Sequence, residues 1–267
     1  MKSRVPLLPL AFLIFLATPV YWLLLMSFKS SREVESGVTF VPAAPTLDNY
    51  RFLLDDPAWF WGYINALVYV AINVAIAVTV AVPAAYAFSR YHFPGARALF
   101  FGFLAFRMMA PAILLVPFVQ LSSDLGIFDT HWAVAIAHCF FNVPLAVWIL
   151  EGFISAVPRQ IDESAWVDGY GFGRFFFRLL LPQIAPGIAV TAFFCFMFSW
   201  IEFLLANALT AVEAKPIAGV MSRIGSVLAG DTPLMAAASA VGLIPGVLLI
   251  IFMRKHLARG FSMGRVV

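Results

Sequence analysis

The sequence predicts an all-α membrane protein with six transmembrane helices, both termini cytoplasmic, and a short cytoplasmic helix between the fourth and fifth spans. Three observations carry the prediction: apolar runs of membrane-spanning length, basic residues concentrated on alternate loops, and a charged, glycine-broken turn within one of those loops. Of 267 residues, 63% are hydrophobic and only 12% charged, with a mean hydropathy of +0.94, which excludes an ordinary water-soluble domain.

Crossing roughly 30 Å of hydrocarbon takes about 20 mostly apolar residues in helical form. Six runs qualify, at about 5–28, 59–88, 98–121, 132–153, 183–208 and 232–253. A membrane β-barrel would instead alternate polarity over segments of about ten residues. The first run opens on Met1-Lys2-Ser3-Arg4, a basic start that a cleavable signal peptide shares. It stays apolar through Tyr21-Trp22-Leu23-Leu24-Leu25-Met26, past a signal core and without a small-residue cleavage site, so it reads as an uncleaved anchor. Segment 29–58 is the least apolar part of the chain, with Pro42, Pro45, Pro57 and eight charges of both signs. It is expected to be a partly ordered external loop, either a contact surface for a soluble partner or a connector. Residues 89–97 form a short basic turn broken by Pro94-Gly95, where His92 reads as an interfacial side chain.

The third run holds Arg107 about ten residues past its inner end, roughly 15 Å deep at about 1.5 Å per residue. A charge near mid-membrane faces a cavity or a partner as a rule. Two readings stand side by side: Arg107 lines a translocation path, or it caps carbonyls freed by Pro111 and Pro117 in the same broken helix. Glu202, about twenty residues into the fifth run, either snorkels to the outer interface or lines the upper path. Gln120, Asn142, Ser199 and Trp200 offer hydrogen bonds and an aromatic face to an uncharged, hydroxyl-rich solute. Asn142 has a second reading, satisfying an irregularity at Pro144, and Trp200 a second reading as interfacial anchor. Cys139 and Cys195 fall inside apolar runs without metal-site spacing and read as packing residues.

Orientation follows from lysine and arginine. With the amino terminus inside, eleven of the 17 basic residues are cytoplasmic, five are external and Arg107 is intramembrane, while acidic residues lean outward. Both termini are therefore placed in the cytoplasm. The net charge of +3 follows from this asymmetry, and no nucleic acid is invoked.

That orientation makes 155–182 a cytoplasmic loop. Pro158 suits a first helical turn, Asp162 and Glu163 its positive end, and Gly169 a left-handed stop, which defines a helix of about ten residues. Ile161, Ala165 and Asp168 or Gly169 recur at three- and four-residue spacing and are expected to present an outward face of small and apolar groups. Beyond Gly171 and Gly173, Arg174-Phe175-Phe176-Phe177-Arg178 suits the lipid interface, and Pro182 permits a bend into the fifth span.

The loop resembles the EAA motif of permease subunits in bacterial ATP-binding-cassette importers: Glu-Ala-Ala, three residues, Gly, nine residues, Ile-x-Leu-Pro. Glu163, Ala165, Gly169, Leu181 and Pro182 match in spacing, with Asp168 and Phe176 as in the sugar-importer branch; Ser164, Leu179 and Tyr170 depart from the pattern. Tyr170 stands where a small residue is usual and enlarges the surface beyond the turn. Further stretches, Arg107-Met108-Met109-Ala110-Pro111, Gly126-Ile127-Phe128-Asp129-Thr130 and Phe198-Ser199-Trp200-Ile201-Glu202-Phe203, look like MalG-type permeases of the carbohydrate-uptake branch, with Ile201 in place of a common asparagine. The resemblance covers nearly the whole of 1–267 as one permease domain in the bacterial cytoplasmic (inner) membrane. It implies that Ile161, Asp162, Glu163, Ser164, Ala165, Asp168, Gly169 and Tyr170 form a coupling helix and turn seated in a groove of a cytoplasmic ATPase. It further implies a second homologous permease, two ATPase subunits and an external solute-binding protein, and a solute that is a sugar, polyol, glycerol or glycerol phosphate. ATP and Mg2+ would be used by the ATPase, with no cofactor bound by this chain and no catalytic residue in it.

The chain has no G-x-x-x-x-G-K-[ST] phosphate loop, in keeping with ATP chemistry elsewhere. A membrane enzyme would need clustered acid-base groups, whereas His92, His131, His138 and His256 are scattered. The remaining alternative, an ion-coupled carrier working without an ATPase, calls for internal repeats and paired intramembrane acids, and neither is visible.

Overall fold

In hydrocarbon every backbone N–H and C=O must be satisfied within the chain, which is why the apolar runs fold as helices. The computed structural model describes residues 7–227 and 231–263, and the side chains of 9–222 and 231–254. Lys2, Arg4 and Arg265 of the charge argument lie outside the described residues, and so do the side chains of Arg223, Lys255, His256 and Arg259. In chain order the first helices are α1 (Leu7–Ser27), α2 (Ser31–Ser36), α3 (Asp48–Asp55), α4 (Pro57–Arg90), α5 (Ala96–Arg107), α6 (Pro111–Asp124) and α7 (His131–Ser155). They are followed by α8 (Arg159–Val167), α9 (Phe172–Phe175), a π-helical stretch (Phe176–Leu180), α10 (Leu181–Ile201), α11 (Leu204–Ala208), α12 (Ile217–Val227) and α13 (Thr232–Met263).

Five helical stretches are long and apolar enough to cross a membrane, and the pair α5 and α6 brings the number to six if taken as one span. The third run, expected at 98–121 as a helix broken by its prolines, is broken as expected: its halves meet at 92°. Pro111 at the start of α6 has no N–H and forces Ala110 into extended backbone (ψ 131°), so the helix cannot pass. The fifth run also stops short of its expected end at 208. Glu202 turns extended (ψ 116°), and its carboxylate accepts the N–H groups of Leu205 at 3.1 Å and Ala206 at 3.2 Å, starting α11 afresh. At the other end of that run the bend expected at Pro182 takes the form of the π stretch. Leu181 N–H reaches back five residues to Phe176 O, just before a proline that cannot support the α register.

The chain divides into two compact units. One comprises Met1–Tyr63 with Ile217–Val247. Its segment 29–58 is more ordered than expected. Lys29 is fully buried, its Nζ donating to Thr39 O at 2.7 Å, and Asn49 Nδ2 donates to the carbonyls of Ser27 and Lys29 at 3.0 and 2.9 Å. The Glu33 carboxylate accepts Ala43 N–H at 2.8 Å, the main cause that holds it below the ordinary carboxylate range.

The other unit comprises Ile64–Pro216 with Leu248–Val267. Its core joins Ala77, Ala81 and Ala85 of α4, Val147, Leu150 and Ile154 of α7, Leu180 of the π stretch, and Ile184 and Cys195 of α10. Small residues let helix backbones approach closely. At Gly187 that approach is absolute: a Cβ there would come within 2.4 Å of the Phe153 ring.

Candidate functional site

Pro158, extended at ψ 134°, precedes α8, whose nine residues end at the Asp168–Gly169 turn. Asp162 points into the second unit rather than away from it, only 7% exposed. Its Oδ2 accepts Arg90 Nε at 2.8 Å and the Tyr86 hydroxyl at 3.3 Å, and a second guanidinium nitrogen reaches Oδ1 at 3.3 Å. Arg90 also donates to Val157 O at 2.9 Å, and Arg159 donates to Ser89 O at 3.2 Å. Four side chains, Tyr86 and Arg90 from the end of α4 and Arg159 and Asp162 from the start of α8, thus hold the two elements together.

The face expected to point outward is the one that packs inward. Ala165 is buried in the core with Phe175, and Ile161 is half-buried against it. The exposed stripe is Gln160, Glu163, Ser164 and Val167, at the three- and four-residue spacing of one helix face, with Val167 86% exposed. The physical reason is ordinary amphipathicity: the small apolar groups of α8 are taken up by its own bundle.

Gly169 adopts φ +75°, the left-handed conformation expected of it. Its N–H donates to Trp166 O at 3.1 Å, and Tyr170 N–H donates to Ala165 O at 2.9 Å, the paired bonds of a Schellman turn. Tyr170 occupies the position whose side chain packs back on the helix in such turns; it is half-buried against the core, with the Arg174 guanidinium 5.6 Å from its ring centroid. Its bulk is therefore directed into the bundle, not added to the outward surface. Asp168 stays exposed.

The six polar candidates within the membrane do not form one cluster. Arg107 ends α5, and its guanidinium lies 4.0 Å from the centroid of the Phe198 ring on α10. Among the described residues no hydrogen bond joins its guanidinium to a carbonyl freed by Pro111 or Pro117. Phe198 also lines an apolar groove of about 510 Å³ between α7 and α10, with Trp148, Phe153 and Phe194. Gln120 is exposed on α6. Trp200 stacks on Phe196 with ring planes 9° apart.

Asn142, Ser199 and Glu202 belong to a buried packing network instead. Asn142 Nδ2 donates to Asn73 Oδ1 at 2.7 Å and to Cys195 O at 3.2 Å, joining three helices. Glu202 Oε2 accepts His138 Nε2–H at 3.0 Å, and His138 Nδ1 lies 2.6 Å from Ser199 Oγ. Glu202, its side chain 18% exposed, is engaged by His138 and by the N–H groups that start α11. Sequence reasoning missed Arg90, Asn73 and His138 as participants. His138 stands one turn before Asn142 in the same run, and a polar side chain at that depth is itself a signal.

The architecture defines a multi-pass helical membrane protein with a docked loop helix between its fourth and fifth apolar runs. Residues 77–263 match the family model described as "Binding-protein-dependent transport system inner membrane component". The chain is 30% identical to the trehalose transport system permease protein SugB of Mycobacterium tuberculosis, over 93% of this chain and 91% of that one. It is also 30% identical to the maltodextrin transport system permease protein MdxG of Bacillus subtilis, over 95% and 93%. A solved bacterial ABC transporter that imports alginate superposes with a TM-score of 0.78 at 20% identity, covering 93% of both chains, which establishes the shared fold. The chain belongs to this family of binding-protein-dependent inner-membrane permeases, in its MalG-like carbohydrate-uptake branch.

Proposed function

We propose that the protein forms half of the translocation path of an ATP-driven importer for a carbohydrate-like solute: a sugar, a polyol, glycerol or glycerol phosphate. The relatives named for trehalose and maltodextrin support that range. A second homologous permease completes the path, an external binding protein delivers the solute, and two cytoplasmic ATPase subunits bind ATP and Mg2+. This chain binds no cofactor of its own. Both termini face the cytoplasm.

The observation that carries the reading is the two-faced character of α8. One face, Ile161, Asp162 and Ala165, is fixed to the membrane bundle, while Gln160, Glu163, Ser164 and Val167 are left uncovered. A helix that only closed its own bundle would have no reason to leave an ordered, partly apolar stripe open. Seated in an ATPase groove, that stripe receives the closing movement. The Asp162–Arg90 pair and Tyr86 pass it to α4 as a rigid-body shift, because packed elements transmit displacement without deforming.

Replacement of Gly169 by leucine tests this. A side chain at positive φ costs about 1–2 kcal/mol and displaces the turn that ends α8. The variant is expected to insert and assemble, with ATP hydrolysis persisting and solute uptake per ATP falling. Unchanged coupling would remove α8 from the proposed role. Co-purification of an ATPase subunit with the wild-type chain, against uptake by the purified chain alone, separates this function from an ion-coupled carrier.

A further inference from the structure

We infer that Arg107 is the contact for an anionic oxygen group on the transported solute, which narrows the carbohydrate range to its phosphorylated, carboxylated or sulfonated members; the inference rests on the proposed importer function. Arg107 is the twelfth and last residue of α5, and the chain breaks immediately after it. A twelve-residue helix is about 18 Å long, so a span of roughly 30 Å places this cation well inside the hydrocarbon depth. Charges at that depth are retained where something pairs with them.

Among the described residues nothing of opposite charge does so. Glu202 is held by His138 and by the N–H groups of α11, and Glu151 accepts the Ser155 hydroxyl at 2.7 Å. The guanidinium rests on the face of Phe198, with the Cys195 thiol also within electrostatic reach. An aromatic face holds an arginine by its plane and leaves the N–H edges of the fork available. Those edges match two oxygens of a carboxylate, phosphate or sulfonate and form shorter, stronger bonds with them than with a hydroxyl.

The surroundings suit the rest of such a solute. Phe198 is common to Arg107 and to the mainly apolar groove, which also presents Trp148, Phe153 and Phe194, together with the Glu151 carboxylate. Aromatic side chains bury the C–H faces of a sugar ring or polyol chain, while one fixed charged group sets its orientation.

The experiment uses the complete transporter, with its partner permease, ATPases and binding protein, in proteoliposomes. The probes are labelled pairs that differ by one anionic group: glycerol and glycerol 3-phosphate, galactose and galacturonate, trehalose and trehalose 6-phosphate. The wild type is expected to carry an anionic member in preference to its neutral partner. Arg107→Gln should lower kcat/KM for that member by about 10- to 100-fold, and Arg107→Lys by less. Should the glutamine variant not accumulate in the membrane, Arg107→Lys decides, because loss of the fork at constant charge must still reduce kcat/KM by about 3-fold or more. Uptake of neutral members alone, or anionic uptake unaffected by the substitutions, overturns the inference and leaves the carbohydrate importer standing. Uptake of amino acids or peptides in place of every pair overturns both.

Discussion

Asp129 shows how one residue can close a loop between apolar runs. It takes a left-handed backbone conformation, φ 60°, and its carboxylate accepts the N–H groups of Ala211, Val212, Glu213 and Ala214 at 2.8 to 3.2 Å. Burial pushes its pKa up, but the four N–H donors outweigh that and hold it below the ordinary carboxylate range. A depressed folded pKa means stability that is complete above the unfolded value, about 3.9, and lost as pH falls through the folded value. Asp129→Asn is expected to destabilise the detergent-solubilised protein by about 1–2 kcal/mol at neutral pH. It should also flatten the loss of stability on acidification, as read from thermal melts across a pH series. The sequence marks Asp129 only as part of a family-like stretch. Its role was hidden because the N–H donors lie 82 to 85 residues further along the chain.

Among the elements, α8 has legible ends and an illegible face. Pro158 and Gly169 act through backbone geometry, which is local, so the helix boundaries follow directly from residue type. Which side of the helix meets the bundle depends on partners such as Arg90 and Phe175, and small apolar residues suit either surface. Asp162 could be assigned to the outward side on charge alone, yet its side chain is 10% exposed and that of Arg90 7%. Removing one member of such a buried pair strands the other, at a cost of about 3–5 kcal/mol. Asp162→Ala is therefore expected to loosen α8 from α4, lowering thermal stability and the number of solute molecules moved per ATP. Replacing both partners, with Arg90→Met and Asp162→Leu together, should restore stability toward wild type while transport per ATP stays low, since the directional link is gone. Recovery of both quantities would mean that the pair only fills space.

For the whole molecule, span count and helical class were readable because composition and run length act over about 20 residues at a time. The break after Arg107 was legible in Pro111, which acts locally, whereas the one at Glu202 was not, since it turns on a carboxylate satisfied both by the N–H groups that follow it and by His138, 64 residues away. Orientation is a property of the molecule as a whole, and the topology proposed from the basic residues puts 29–58 outside and 155–182 inside. Val38 and Val167 give one reporter in each segment, 72% and 86% exposed. In a background with Cys139→Ala and Cys195→Ala, Val38→Cys in intact cells is expected to react with a membrane-impermeant maleimide. Val167→Cys should react only in inside-out vesicles, and only after the ATPase subunits have been stripped off, because Val167 lies on the stripe they would cover. Labelling of Val167→Cys from outside would invert the topology. Labelling from inside with the ATPases in place would keep the topology and deny α8 its partner, so the two claims fail separately.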